Sequence, residues 1–364
     1  MKERTAKIHN KIKFIKQRKL PIIMLTIVGM LVALILAGGI TICSYLEKFN
    51  KINYENLEVA DKNEDFIKLQ NEIHNSGLAI DENEIKENIN SEPTYVPVKL
   101  VPLNKISPDI DNILLLGLDV LEEDSDNGRS DVMIIASIDH ENKKFKLASI
   151  LRDCYVEIPG HKKNRINAAY TFGGAALAIN TVNLNFSTDI QKYIKVDFFG
   201  IAKIIDALGG VRIGDISKSE AEQIRIYAAG KSDVKAGQNV LLNGKEAVAY
   251  ARIRHIDSDF KRTDRQREVF QGMIDKIFSM SLSMAISKLD VILPNLTTNL
   301  TKDELISIAW EVLTEKYDKS AGQFRIPVEN SYEFATINGA DVIIPDLKKN
   351  TEALMGFIYG DTGN

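Results

Sequence analysis

From Asp111 onward the chain alternates dense apolar runs with polar breaks at strand and helix spacing. Asn112-Ile113-Leu114-Leu115-Leu116-Gly117-Leu118 is apolar at almost every position, which predicts a strand buried on both faces. Residues 132–138 and 145–150 predict two more strands, joined by Asp139-His140-Glu141-Asn142, a run with hairpin-turn chemistry. Helical spacing is seen over 173–184 and 199–208, the second closed by Gly209-Gly210 before a strand at Val211-Arg212-Ile213. Helices are also predicted over 263–280 and over 302–317, with Thr301 capping the latter. No internal repeat is visible. Strands and helices mixed in this way, with hairpins among them, predict an α/β sandwich around a mixed, partly antiparallel sheet.

The first hundred residues read differently. Pro21 to Cys43 carries no charged residue, and as a helix it would span about 35 Å, enough to cross the hydrocarbon core of a bilayer. Before it stand Lys2, Arg4, Lys7, Lys11, Lys13, Lys16, Arg18 and Lys19, opposed only by Glu3. The positive-inside rule then keeps residues 1–20 in the cytoplasm, makes 21–43 a single-pass anchor, and exports the chain after Cys43. A cleaved signal peptide competes, but the run is long for one, and Ala37-Gly38-Gly39 is a weak cleavage site. Residues 44–104 are rich in Glu, Asp, Asn and Lys and end in a proline-punctuated stretch, which predicts a stalk. The catalytic domain is expected over 105–364.

Across all 364 residues the net charge is −4, so nothing in the balance suggests nucleic acid as a partner. Of two cysteines, Cys43 lies in the apolar run and Cys154 stands alone outside it, which rules out an intrachain disulfide framework in the exported part. Cys154 has no histidine close in sequence and is expected as a buried structural thiol.

Chemistry concentrates in two places. The block from Tyr250 to Arg267 packs Arg252, Arg254, Arg262, Arg265 and Arg267 beside Lys261, His255 and three aspartates. Read as the end of a strand over 246–250, it sends the Arg252 and Arg254 guanidiniums from one face, two forked donors suited to phosphate or pyrophosphate. The second place comes from the first three strands. An up-down-up meander brings Asp119, Arg129, Asp131 and Arg152 to one end of the sheet. These can simply pair as salt bridges. Alternatively the aspartates hold a hard divalent cation and the arginines bind phosphate oxygens; Mg²⁺ suits this, being usually held by one or two carboxylates plus phosphates. Gln266 can orient a neighbouring group or lie on a helix surface.

Taken together, Leu116-Gly117-Leu118-Asp119, Gly128-Arg129-Ser130-Asp131, Ser149-Ile150-Leu151-Arg152-Asp153, Ile166-Asn167-Ala168-Ala169-Tyr170, Val196-Asp197-Phe198, Asp206-Ala207-Leu208-Gly209-Gly210-Val211 and the run from Arg252 to Gln266 resemble the LytR-CpsA-Psr family. They occur in the family's order over 111–277. The resemblance implies an extracytoplasmic, Mg²⁺-dependent phosphotransferase of Gram-positive bacteria, with Mn²⁺ as an alternative ion. Such a protein moves a glycopolymer, for example wall teichoic acid or capsule polysaccharide, from an undecaprenyl-pyrophosphate carrier to peptidoglycan. It also implies a three-layer α/β/α sandwich with a channel for the polyprenyl tail, to which 173–184 could contribute. By motif, Asp119 and Asp131 match the metal-side aspartates, and Arg129, Arg152, Arg252 and Arg254 match the pyrophosphate-binding arginines. Asp259, Arg262 and Gln266 match the third group, with Asp119, Asp131, Arg129, Arg152 and Asp259 expected as catalytic. Whether an aspartate takes the acceptor proton or only holds metal is left open by the spacing.

The chain departs from the family's usual pattern at Leu151, where proline is common, at Arg165, where lysine is common, and at Arg267, where a second glutamine often stands. Rival readings are a pyrophosphatase acting on the same lipid, a polyprenyl-lipid-binding protein and a membrane-bound regulator. The roughly 20 residues before the apolar run are too few for an ordinary DNA-binding domain, which weighs against the regulator.

Overall fold

The apolar runs 112–118, 132–138 and 145–150 form the middle of a seven-stranded sheet, as strands β2 (Ile110–Asp119), β3 (Arg129–Asp139) and β4 (Lys144–Ile150). In order across the sheet lie β1 (Asn53–Tyr54), β10 (Thr297–Thr298), β7 (Lys192–Asp197), β2, β3, β4 and β11 (Asp318–Ile326). The meander is antiparallel, while β7 runs parallel to β2 and β11 parallel to β4, so the sheet is mixed. The expected turn is present, with Asp139 Oδ1 accepting from the Asn142 backbone N–H at 2.8 Å. This computed structural model describes residues 47–76, 95–120, 128–315 and 317–360. The chain divides into two compact units, residues 1–50 and 51–364, and the sheet with the helices that cover it belongs to the second. The expected membrane anchor at 21–43 lies outside the described residues, and no helix among them is long and apolar enough to cross a membrane.

Alternation along β2 explains why almost every position is apolar. Leu114, Leu116 and Leu118 pack against α2 (Ala168–Phe186) and α9 (Leu347–Tyr359), whereas Ile113 and Leu115 meet Leu305 and Ile308 of α8 (Lys302–Thr314). Successive side chains on a strand leave opposite faces, so helices cover both sides. Each fully buried leucine contributes about 1.5–3 kcal/mol. Helix α2 starts earlier than expected and kinks at Gly173-Gly174; residues 175–186 are buried throughout, within the main core. Cys154 is fully buried and free of any disulfide, as expected.

Much of the expected stalk is built into the domain instead. Strand β1 pairs with β10, and Leu100 bonds through its N–H to Glu58 O at 2.7 Å and through its carbonyl to Ala60 N–H at 2.8 Å. Buried Asn180 clamps the same segment, accepting from Val101 N–H at 3.0 Å and donating to Lys99 O at 2.9 Å. Helix α1 (Glu64–Ser76) lies on α2, and Gln70 donates to Asn183 O at 2.6 Å. The acidic composition suggested solvated spacing, but Ile52, Phe66 and Leu100 bury enough apolar surface to dock these stretches. Residues 77–94 of the expected stalk lie outside the described residues.

A second apolar cluster joins α3 (Phe198–Leu208), β8 (Val211–Ile216), α4 (Lys218–Tyr227), β9 (Gly237–Leu242), α5 (Gly244–Ala251), α6 (Asp259–Phe278) and α7 (Leu282–Ile292). Here the strand expected over 246–250 is wrong: the segment is helix α5. Asn243 accepts from Glu246 N–H and the Glu246 carboxylate accepts in return from Asn243 N–H, a capping box that starts a helix. Glu246, Ala247, Ala249 and Tyr250 are the buried set, the one-sided spacing of a helix and not of a strand. Gly244 is required where α5 meets α3, because a Cβ there would sit 2.0 Å from the Ala202 carbonyl oxygen. Helix α6 begins before the expected 263 because Ser258 accepts from Lys261 N–H, and Thr301 caps α8 as expected, with Glu304 completing the box.

Candidate functional site

The site lies at the end of the sheet where β2 stops and β3 starts. Asp119 and Arg129 face each other across the ladder as the last matched pair. One step inward Leu118 pairs with Ser130, but Gly117 pairs with Val132, so Asp131 is an extra residue in β3. Such a bulge bends the strand and re-aims its side chains. It depends on Gly117, where a Cβ would lie 2.8 Å from Val132 Cβ.

Asp131 is held from two directions. Arg152 Nη1 donates to its Oδ2, and Asn167 Nδ2 donates to its Oδ1 at 3.2 Å. Asn167 is buried just before α2 and bonds by its own N–H to Arg152 O at 3.3 Å, which ties the start of that helix to both residues. Arg152 also lies 3.4 Å from Asp153, which Arg165 approaches at the same distance. The meander therefore does assemble the expected edge, and Asp131 and Arg152 do pair.

The arginine block arrives from the other lobe. Arg252 closes the C-terminus of α5, Ile253 is fully buried, and Arg254 is exposed in the turn beyond. The two guanidiniums share a cleft because a turn pivots on buried Ile253, not because a strand alternates. Arg252 reaches Asp119 at 3.4 Å and lies 5.3 Å from the Phe198 ring centroid, a cation–π distance. Arg262 and Gln266 stand four residues apart on α6, hence on one face, and both are buried at under a tenth exposed. Arg265 serves the scaffold: it bonds Glu220 at 2.8 Å, Ile253 O at 3.2 Å and the Asp257 carboxylate, which fixes the Arg252–Arg254 turn. Arg267 turns to the sheet, donating to Phe324 O at 3.0 Å.

These elements enclose a cleft of about 210 Å³ lined by Asp119, Asp131, Arg252, Arg254, Arg262 and Gln266, with Phe198, Tyr227, Ala251 and His255. Of the expected site residues, six line it directly and Arg152 joins it through Asp131. Arg129 is exposed at the same sheet edge but is not among the lining residues. Asp259 is the first residue of α6. Sequence reading gave no role to Asn167, Phe198, Tyr227 or His255. Asn167 and Phe198 fell inside quoted motifs, and the one available signal was an amide before an apolar helical run.

Burial pushes the Asp119 carboxyl up; Arg252 opposes the shift and the charge of Asp131 adds to it. A cation between the two carboxylates would relieve that strain. Among the described residues no cluster of three or more His, Cys, Asp or Glu offers a complete metal cage. Two carboxylates beside guanidiniums therefore fit an ion whose shell is completed by phosphate oxygens and water, the habit of Mg²⁺.

The LytR_cpsA_psr family model matches residues 68–355. A protein of Oceanobacillus iheyensis named polyisoprenyl-teichoic acid–peptidoglycan teichoic acid transferase TagU is 39% identical over 206 residues, 54% of this chain and 61% of that one. The chain thus spans about three fifths of the length of that relative. Regulatory protein MsrR of Staphylococcus aureus is 33% identical over 258 residues, covering 69% of this chain and 75% of its own. Among solved structures, TagT bound to LI-WTA superposes with a TM-score of 0.58 at 26% identity, over 69% of this chain and 92% of that one.

Proposed function

The chain belongs to the LytR-CpsA-Psr family, and from that premise we propose that it transfers a glycopolymer from a polyprenyl-pyrophosphate carrier onto peptidoglycan. The observation that carries this reading is the convergence of Asp119, Asp131, Arg252, Arg254, Arg262 and Gln266 on one cleft from β2, β3, the end of α5 with its turn, and α6. A relative named for moving teichoic acid to peptidoglycan supports the substrate class, as does a relative solved with LI-WTA. An acceptor hydroxyl oxygen attacks the phosphorus that bears the glycopolymer. A new P–O bond forms, the P–O bond to the lipid phosphate breaks, and the hydroxyl proton is released.

The chain's part is positioning and charge, in keeping with a cleft that has no serine or cysteine among its described lining residues. Arg252, Arg254 and Arg262 bind the phosphate oxygens, Phe198 supports Arg252 from behind, and Arg152 with Asn167 fixes the Asp131 carboxylate. Asp119 and Asp131 would hold Mg²⁺, or Mn²⁺ in its place, and the ion would neutralise charge on the transferring phosphate. We place this site outside the cytoplasm on a single-pass anchor at 21–43, because the basic flank precedes the apolar run. Protease added to intact protoplasts should then cut the domain; full protection would refute that topology.

The activity test uses the full chain in detergent, a polyprenyl-pyrophosphate-linked sugar donor and peptidoglycan. Turnover should need acceptor and Mg²⁺, and Asp119→Ala and Asp131→Ala should each lower it by about 100-fold or more. Wild-type rates in both variants would overturn the site, and phosphate release that ignores the acceptor would favour a pyrophosphatase.

A further inference from the structure

Transfer frees a proton from the acceptor hydroxyl, and the arginines that bind phosphate give that proton nowhere to go. Among the described residues lining the cleft, three side chains can take one up: Asp119, Asp131 and His255. Guanidiniums stay protonated, and the amide and phenol members are too weak as bases.

Both carboxylates are engaged with positive charge. Asp131 accepts from Arg152 at Oδ2 and from Asn167 at Oδ1, the latter at 3.2 Å. Asp119 lies with both oxygens 3.4 Å from Arg252 Nη2. Burial raises the Asp119 carboxyl and makes it the rival base, but a divalent ion held by these aspartates would take the same lone pairs. His255 follows Arg254 in the turn beyond α5, and Arg265 fixes that turn through Ile253 O at 3.2 Å. Asp257, two residues on, is bonded to Arg265.

We propose that His255 accepts the proton of the attacking hydroxyl; the proposal rests on the transferase reading and supplies the base it lacks. Exposure grades the cleft from floor to mouth. Arg262 and Gln266 are 3% and 8% exposed and form the floor, whereas Arg252, Arg254 and His255 are exposed at the mouth. A peptidoglycan strand arrives from solvent, so its hydroxyl meets the phosphorus on the mouth side. In-line displacement then turns the leaving lipid phosphate toward the floor and Arg262. A base at the mouth stands on the attacking side, and a cleft of about 210 Å³ leaves little distance between a bound phosphate and any wall. As the acceptor oxygen bonds to phosphorus, an imidazole nitrogen takes its proton, and the electron pair of the broken P–O bond leaves with the lipid phosphate. The exposed imidazolium then returns its proton to water. The charges facing His255 are Asp119 from β2, Asp131 from β3, Arg252 and Arg254 from its own segment and Arg262 from α6, with Tyr227 of α4 and Phe198 of α3 completing the wall.

The test uses the full chain in detergent with Mg²⁺, a polyprenyl-pyrophosphate-linked sugar donor and peptidoglycan, across a range of pH. Near neutral pH His255→Ala and His255→Gln should each lower kcat by about 100-fold, and added imidazole should restore about tenfold to His255→Ala but nothing to Asp119→Ala. Wild-type kcat should decline toward acid as the imidazole takes up a proton, and His255→Gln should lose that limb. Mn²⁺ binding, read by electron paramagnetic resonance, should be equal in His255→Ala and wild type. Wild-type rates and pH dependence in both variants overturn His255 as the base and leave the transferase reading standing. Weaker Mn²⁺ binding in His255→Ala overturns it by making the imidazole a metal ligand. A rate that falls without imidazole rescue and keeps the acid limb overturns it in favour of Asp119. A wild type that transfers nothing removes the transferase reading and the base together.

Discussion

Asp131 reaches the cleft through a one-residue bulge, and its carboxylate is then oriented by Arg152 and Asn167. Asn167→Ala would leave Oδ1 without that donor, a loss of about 1–3 kcal/mol where the group is buried. Turnover should drop by about tenfold while the far-ultraviolet circular dichroism stays that of the wild type; an unchanged rate would remove Asn167 from the site. Arg252 makes a stricter case, since it meets Asp119 and the Phe198 face together. Lysine keeps the charge but loses the planar fork, so Arg252→Lys should cost about an order of magnitude in transfer. Rates equal to wild type would mean that the guanidinium is only a solvated surface charge. The charged members of the site were legible because permanent charges stood inside apolar sequence, where solvation alone explains them poorly. Asn167 and Phe198 were not, because an amide before a helix reads as a cap and a phenylalanine reads as core.

At the level of elements, the arginine pair shows how a sound grouping came from a mistaken period. Glu246-Ala247-Val248-Ala249-Tyr250 alternates in sequence, yet the Asn243–Glu246 box commits it to helix α5. Period-two and helical patterns overlap over five residues, and only the cap three residues upstream distinguishes them. The β2–β4 meander was far easier to read, since long apolar runs with a polar turn admit few other folds. Helix α5 delivers Arg252, so its seat on α3 matters for the chemistry. Gly244→Ala would drive a methyl into the Ala202 carbonyl, and the helices would have to part at a cost of about 1–3 kcal/mol. Urea unfolding should show that loss, and donor KM should rise with it because Arg252 moves away from Asp119. Stability and KM both unchanged would mean that the contact relaxes without moving the arginine.

Across the whole molecule, the opposite end of β2 carries a separate ionic hub that docks α8. His140 Nδ1 lies 3.0 Å from both Glu311 oxygens and its Nε2 lies 3.0 Å from Asp111, with Lys105, Lys143 and Tyr317 closing the ring of partners. Burial works against charge on His140, but Glu311 and Asp111 outweigh it and leave its pKa raised. Burial likewise opposes charge on Glu311, yet bonds from Tyr317, His140 and Lys143 hold it at about 2. The His140 contribution is therefore complete below its unfolded value of about 6.5 and is lost as pH climbs through the raised folded value. That of Glu311 is complete above about 4.5 and is lost as pH falls through about 2. Amide exchange of α8, corrected for intrinsic rates, should show greatest protection between these limits and weaken toward alkaline pH. His140→Gln should flatten the alkaline limb, and an identical decline in that variant would assign the loss elsewhere. The sequence did not disclose this hub, because Asp111, His140 and Glu311 come together only when the hairpin and α8 pack on one sheet. Much of the expected stalk was likewise drawn into the domain by long-range contacts, with β10 and α2, through side chains too sparse to mark a core. Arg267, a departure from the usual glutamine, occupies the Phe324 carbonyl of β11, the outermost strand of the sheet. Arg267 therefore ties α6 to the outermost strand, and Arg267→Gln should lower the midpoint of thermal unfolding by about 2–4 °C; an unchanged midpoint would mean that the ladder alone holds β11 in place.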